Sequence, residues 1–359
     1  MLQAAFKYAY PNARTRALRG RRLTSSDFHY LIKAKDIHTF LSYLATTSYG
    51  RYLPEYQGRA VARNLAHLER ALSRPLLEHY FKIFRTLKDK HSAQLIKALF
   101  ARFEVENLKI LIRAKFSGLE RRNVEHLLYP LPRLTQLPWQ RLWDAVRIKD
   151  LAKILERTAY GRSIKNAYPQ FEAQARTFPL EMALDIACYE NIVRAVHSLR
   201  SRNNRRRITN LIGNFVDIQN IMLALRLRFT YALSPEETVN YSLPGGKALD
   251  LKRLHKIARA KDLHEFITAL PRPFKQALAG ATEIRQIRTS LHDFFLRMLH
   301  KSFHGLPFHL GVEVAYLLEK EMELKALVSL YQAKKEGLPP PAAEKLVPSH
   351  FLAKEKQYV

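Results

Sequence analysis

The sequence predicts an all-α protein in which one helical unit is repeated three times. Three observations carry this. Glycine supplies only 12 of 359 residues, which leaves little material for the left-handed turns of β-hairpins, and the Leu-, Ala- and Arg-rich remainder favours helix. Between Ala93 and Phe116 the apolar residues Leu95, Ile96, Leu99, Phe100, Phe103, Leu108, Leu111 and Ile112 recur with the 3.6-residue period of an amphipathic helix. Finally, a set of landmarks returns in the same order about every 110 residues, the size of a small domain and too long for a solenoid repeat.

The first landmark is Lys-Asp followed by an apolar residue, at Asp36, Asp150 and Asp262, spaced 114 and 112 residues apart. The second is Tyr49-Gly50-Arg51 and Tyr160-Gly161-Arg162, with no clear third copy. The third begins with an acidic residue three positions before an asparagine. It reads Glu104 to Asn107, then Asp217 to Asn220, then Glu323 to Ala326, the last copy having lost the amide. The first and third of these segments align without gaps from Glu104 to Leu119 and from Glu323 to Leu338, with 7 of 16 residues identical. The resulting division is 1–130 for the first unit with a leading helix, 131–243 for the second, 244–338 for the third and 339–359 for a Pro-rich tail. At ~100–200 residues per domain the length accommodates such a partition.

Taken in order, the leading segment carries Lys7, Arg14, Arg16, Arg19, Arg21 and Arg22 before its first acid, Asp27. That superficially fits a transit peptide, but in a chain so basic throughout it reads as a first helix. The Tyr-Gly pairs are expected to close amphipathic helices, with Gly50 and Gly161 in the left-handed position after the last turn. Asn107 and Asn220 fall on the buried stripe of their helices, where an unpaired amide would cost ~1–3 kcal/mol. They are expected to tie neighbouring helices within each unit rather than to touch a ligand. Linkers are marked by Pro130, Pro132 and Pro138 and by Pro244-Gly245-Gly246. Gly118 and Gly337 read as helix stops, and the tail beginning Pro339-Pro340-Pro341 is expected to be mobile.

Candidate chemistry is sparse. Leu243 to Ala248 resembles part of a phosphate loop but has Tyr241 and Ala248 where glycine and Ser or Thr are needed. His300 and His304 stand at i, i+4 with His309 beyond, a spacing that suits zinc, but no cysteine lies near them. The single cysteine, Cys188, sits in an apolar stretch and reads as a small buried hydrophobe. Neither HExxH nor Gly-x-Ser-x-Gly occurs, so an enzyme reading has no anchor, and no cofactor is expected. No apolar run reaches the ~18 residues of a membrane span. The densest charge is Arg200, Arg202, Arg205, Arg206 and Arg207, with no acid between Glu190 and Asp217. In a chain of net charge +28 this run reads as a solvated segment between helices, as an interface for an acidic protein partner, or as a phosphate-contacting patch on nucleic acid.

These landmarks resemble the C subunit family of V/A-type ATPases, related to the eukaryotic d subunit. The residues that carry the resemblance are the opening Tyr8-Ala9-Tyr10-Pro11-Asn12-Ala13-Arg14, the Tyr-Gly pairs and the acid-x-x-Asn helices with Arg113 and Arg226. The Pro-Gly-Gly turn and the last helix with Gly311, Tyr316 and Glu323 complete the set. It runs from about residue 6 to 338, nearly the whole chain. The resemblance implies three helical domains around a pseudo-threefold axis, shaped as a funnel. It implies a non-catalytic rotor subunit of the central stalk of a proton or sodium translocating ATPase or ATP synthase. Its partners would be the coiled-coil central shaft subunits and the proteolipid rotor ring, with no direct nucleotide, at the cytoplasmic face of the membrane and peripheral to it. Departures from the family pattern are Ala326 in place of the third asparagine, the unclear third Tyr-Gly, the Pro-rich tail and the high positive charge. The rival expectation is a basic all-helical nucleic-acid-binding protein.

Overall fold

A computed structural model describes residues 2–53, 65–131 and 134–353. Pro132 of the first linker and the last six residues of the tail lie outside these. Among the described residues there is no β-strand. In chain order the first helices are α1 (Leu2–Arg19), α2 (Ser25–Lys33), α3 (Ile37–Ala45), α4 (Leu65–Phe84) and α5 (Lys90–Phe116). Next come α6 (Arg121–Val124), α7 (Trp139–Asp144), α8 (Ile148–Leu155), α9 (Gly161–Gln174), α10 (Phe178–His197) and α11 (Arg202–Phe229). There follow α12 (Pro235–Asn240), α13 (Leu251–Ala258), α14 (Leu263–Ala269), α15 (Arg272–Ala277), α16 (Ile284–His300), α17 (Gly311–Lys335), α18 (Pro340–Glu344) and α19 (Ser349–Leu352).

The repeated landmarks are local helix signals. Asp36 and Asp262 are N-caps, accepting the Thr39 and Glu265 backbone N–H, each at 2.7 Å, and so start α3 and α14. Asp150 does the same work from inside α8, where its carboxylate accepts the Arg147 N–H at 3.3 Å. Gly118 and Gly337 have φ of +65° and +69°. Beyond them Leu119 N donates to Ala114 O at 2.8 Å and Leu338 N to Ala333 O at 2.9 Å. Both ends are therefore Schellman closures, which need a glycine at the left-handed residue and explain why Gly-Leu is shared.

The Tyr-Gly pairs differ from the sequence expectation. Neither Gly50 nor Gly161 has positive φ. Each instead opens the next helical segment against the end of the previous one. A Cβ would lie 2.0 Å from Ala45 O at Gly50 and 2.3 Å from Glu156 O at Gly161. Glycine is required there for close backbone approach, not for handedness. The tail differs too. Phe351 stacks on Phe28 at 5.0 Å, the His350 N–H donates to Asp293 at 2.8 Å, and Ala343 and Val347 are buried. The described part of the tail is packed onto α2 and α16 because its apolar residues find a place in the core.

The centre of the molecule is α17. Every residue from Gly311 to Leu324 is buried, on all sides of the helix, and α1, α3, α4, α11 and α16 pack around it. A helix enclosed on all faces is an interior element. This one carries Glu313, Glu319, Glu321 and Glu323, so each acid must be answered by a neighbour.

Candidate functional site

The acid-x-x-Asn motif is a clasp. Asn107 donates from Nδ2 to Tyr129 O at 3.0 Å and accepts the Tyr129 N–H at 2.8 Å. Asn220 repeats this with Leu243, at 2.9 and 2.7 Å. In both, the amide imitates a strand partner and fastens the linker that follows to the long helix. The acid three residues earlier holds the same linker. Asp217 accepts the N–H groups of Lys247 at 3.1 Å, Ala248 at 2.7 Å and Leu249 at 3.1 Å. Burial pushes its carboxyl up and these three bonds pull it down, with burial the larger. A Cβ at Gly246 would stand 2.5 Å from Asp217 Oδ1, and Gly245 has φ of +96°. The Pro-Gly-Gly turn is thus a nest of donors around a structural carboxylate. Glu104 sits likewise against Thr135 and Gln136, its pKa raised by burial. We expect Asn220→Ala to lower stability by ~1–3 kcal/mol in urea unfolding, since it strands a buried N–H and a buried carbonyl. An unchanged midpoint would contradict the clasp.

The third copy is built differently. Ala326 has no amide, and Glu323 faces the N-terminal helices: its carboxylate accepts Tyr49 Oη at 2.6 Å, the Leu23 N–H at 3.3 Å and the Lys320 ammonium. Lys320 lies over the Tyr49 ring, 4.3 Å from its centroid.

Residues not singled out by spacing join the three long helices. Tyr8 of α1 shares a 3.0 Å hydrogen bond with Ser92 of α5 and accepts from Asn204 Nδ2 of α11 at 2.9 Å. Asn204 Oδ1 then accepts the Leu310 N–H at the start of α17, at 3.1 Å. The N-terminal ends of α5, α11 and α17 therefore meet under α1. Deeper in, Arg102 of α5 pairs with Glu321 of α17 at 2.8 Å, donates to Tyr80 of α4 at 3.1 Å, and lies 4.8 Å from the Phe215 ring of α11. Only the motif Tyr8-Ala9-Tyr10 gave any sequence hint of this.

The arginine run lies at the same end. Arg200 precedes α11, and Arg202, Arg205 and Arg206 are exposed on its first turns, with Arg207 half-buried. Arg202, Arg205, Arg206, Arg207 and Lys247 line an open concavity of about 640 Å³. The positive end of the α11 dipole adds to their field. Arg205 is partly structural, donating twice to Leu199 O at 3.1 and 2.7 Å. Arg113 pairs with Glu181 at 3.4 Å.

The remaining candidates fall elsewhere. Cys188 is buried and burial pushes its thiol up to about 12, so it is an inert packing residue. His300 packs against His304 and His350, with ring centroids 4.7 and 5.2 Å away. His309 is buried beside Gly311. Among the described residues no helix is long and apolar enough to cross a membrane.

Comparison with known proteins agrees with the resemblance. The chain is 27% identical to the C subunit of the A-type ATP synthase of Methanothermobacter thermautotrophicus over 348 residues, covering 93% of this chain and 86% of that protein. Its counterpart in Methanocaldococcus jannaschii is 25% identical, covering 93% and 84%, and that of Pyrococcus abyssi 24%, covering 95% and 90%. The family model described as ATP synthase (C/AC39) subunit matches residues 11–346. With clasp, central helix and Pro-Gly-Gly nest all inside that span, the chain belongs to the ATP synthase (C/AC39) subunit family.

Proposed function

We propose that this protein is the non-catalytic central-stalk subunit of a V/A-type rotary ATPase, a socket between the coiled-coil central shaft and the membrane rotor ring. Membership of the family supports a place in such a complex. The observation that carries the coupling role is the junction of α5, α11 and α17 under α1, cross-braced by Arg102 and Glu321. A torque coupler must deform little under load, and close-packed helices braced by buried hydrogen bonds supply that stiffness. In this reading the three long helices mark three units around a pseudo-threefold axis, and the protein lies against the cytoplasmic face of the membrane without entering it.

Arg200 to Arg207 form the docking surface for an acidic partner in the rotor. Arg205→Glu with Arg206→Glu is expected to weaken assembly with shaft and ring by tenfold or more. Because Arg205 also holds Leu199, Arg202→Glu with Arg206→Glu is the cleaner pair. The check is co-purification with the rotor ring and pull-down by the shaft at two salt concentrations, with circular dichroism as the folding control. Unchanged, salt-independent assembly of the folded variant would remove this surface from the interface. Strong salt-sensitive binding to arbitrary duplex DNA, lost in the same variant, would favour the nucleic-acid alternative.

A further inference from the structure

A second cleft opens along α5 on the N-terminal side of the linker clasp, with Glu104 of the clasp motif in its wall. Helices α5 and α10 run antiparallel, as the pairs Arg113–Glu181 at 3.4 Å and Lys109–Asp185 at 2.7 Å show. From Glu104 toward Gln94 they line an open cleft of about 550 Å³, bordered also by residues 136–137 and 157–160. That volume is in the range of small-molecule sites, ~300–1,000 Å³.

The cleft has two chemically distinct ends. Glu104 is 7% exposed, and its Oε1 is buried with no hydrogen-bond partner. Thr135 and Gln136 hydrogen-bond this carboxylate and the Lys97 charge acts on it, so Oε1 is the one acceptor still open to a donor. Lys97, Arg157 and Arg194 supply positive charge on the walls. Lys97 stands seven residues before Glu104 on α5, roughly 10 Å along the axis at ~1.5 Å per residue. The antiparallel α10 brings Arg194 to the Lys97 end. Between them the walls are small, Ala98, Ala101 and Ala195, with Leu137 beside Glu104, so a flat group can lie between the helices.

We propose that this cleft binds a phosphate ester of nucleoside size, its phosphate held by Lys97, Arg157 and Arg194 and an amino or hydroxyl hydrogen at its far end donated to Glu104 Oε1. Free phosphate is too short to reach both ends. The resemblance implies no direct nucleotide, and this proposal departs from that expectation: the site would use side-chain cations instead of the backbone N–H groups of a glycine-rich loop. The site is independent of the docking surface for the rotor.

The test is calorimetric titration of the full chain with adenosine, guanosine, cytidine and uridine 5′-monophosphates, and with inorganic phosphate. At least one nucleotide is expected to bind tenfold or more tightly than phosphate. Arg157 is exposed and Arg157→Ala is expected to keep the native circular dichroism spectrum while weakening that nucleotide tenfold or more. The proposal is overturned if no nucleotide exceeds phosphate, or if the folded Arg157→Ala chain binds as the original does. Arg194→Ala provides a second reading of the same loss.

Discussion

Arg102→Ala is expected to cost ~3–5 kcal/mol of stability, read as a lower urea midpoint. Both members of the pair are buried: the side chains of Arg102 and Glu321 are 11% and 9% exposed. Burial alone would raise the Glu321 carboxyl, but Arg102 and Lys325 hold it down at about 2. Removing the guanidinium leaves an ionised carboxylate in the core with only Lys325, at 3.1 Å, to answer it. It also empties the contacts with Tyr80 and the Phe215 ring. The loss should be shared by all three long helices, so α5 and α11 should become less protected from hydrogen exchange together with α17. Arg102→Met with Glu321→Leu should recover most of the loss, because an apolar pair of similar volume has no charge to desolvate. If Arg102→Ala unfolds at the original midpoint, the pair does not brace the core. The linkage has a definite sign. Glu321 is depressed from 4.5 to about 2, so its contribution is full above pH 4.5 and is lost as pH falls toward 2.

Glu313→Gln is expected to do the opposite and stabilise the protein at alkaline pH. Glu313 is buried on α17, accepts from Asn12 Nδ2 of α1, and has its second oxygen without a partner. Burial pushes its carboxyl up to about 8, against the Asn12 bond that lowers it. The folded state therefore keeps a proton that the unfolded chain has released above pH 4.5, and stability falls as pH rises from 4.5 to 8. His309, close by with Arg16 and Arg207 acting on it, is lowered to about 4 by burial. It changes stability in the other sense, but only below pH 6.5. Between pH 6.5 and 8 the Glu313 slope stands clear and amounts to ~2 kcal/mol. Glutamine retains the acceptor for Asn12 and cannot ionise, so the variant should lose that slope. Parallel urea curves for the two proteins across pH 6.5–8 would contradict the assignment.

The helices, their caps and the repeated motifs were readable because each is a local event. A 3.6-residue stripe, an N-cap aspartate and a Schellman glycine act within a few residues of themselves, and they look alike wherever they recur. The buried asparagines were legible for the same reason: position on the stripe announced a polar group in the core that must be satisfied. Their partners, Tyr129 and Leu243, were not, since a linker returning 22 and 23 residues later carries no periodic mark. Gly50 and Gly161 show how a residue type is legible when its reason is not. Both left-handed turns and close backbone approach demand glycine, and only the packing distinguishes them.

The sequence by itself therefore determined the helical class, the repeat and the family, all of which rest on local pattern or on order along the chain. Tertiary structure alone decided that α17 is the enclosed centre, that Tyr8 and Asn204 knot three helix ends, and that Arg102 answers Glu321 across 219 residues. It also decided that the described part of the tail is packed and that Glu104 ends a cleft. The physical reason is that a buried charge or amide is fixed by whatever group satisfies it, and that group is chosen by spatial proximity, which no spacing in the chain records.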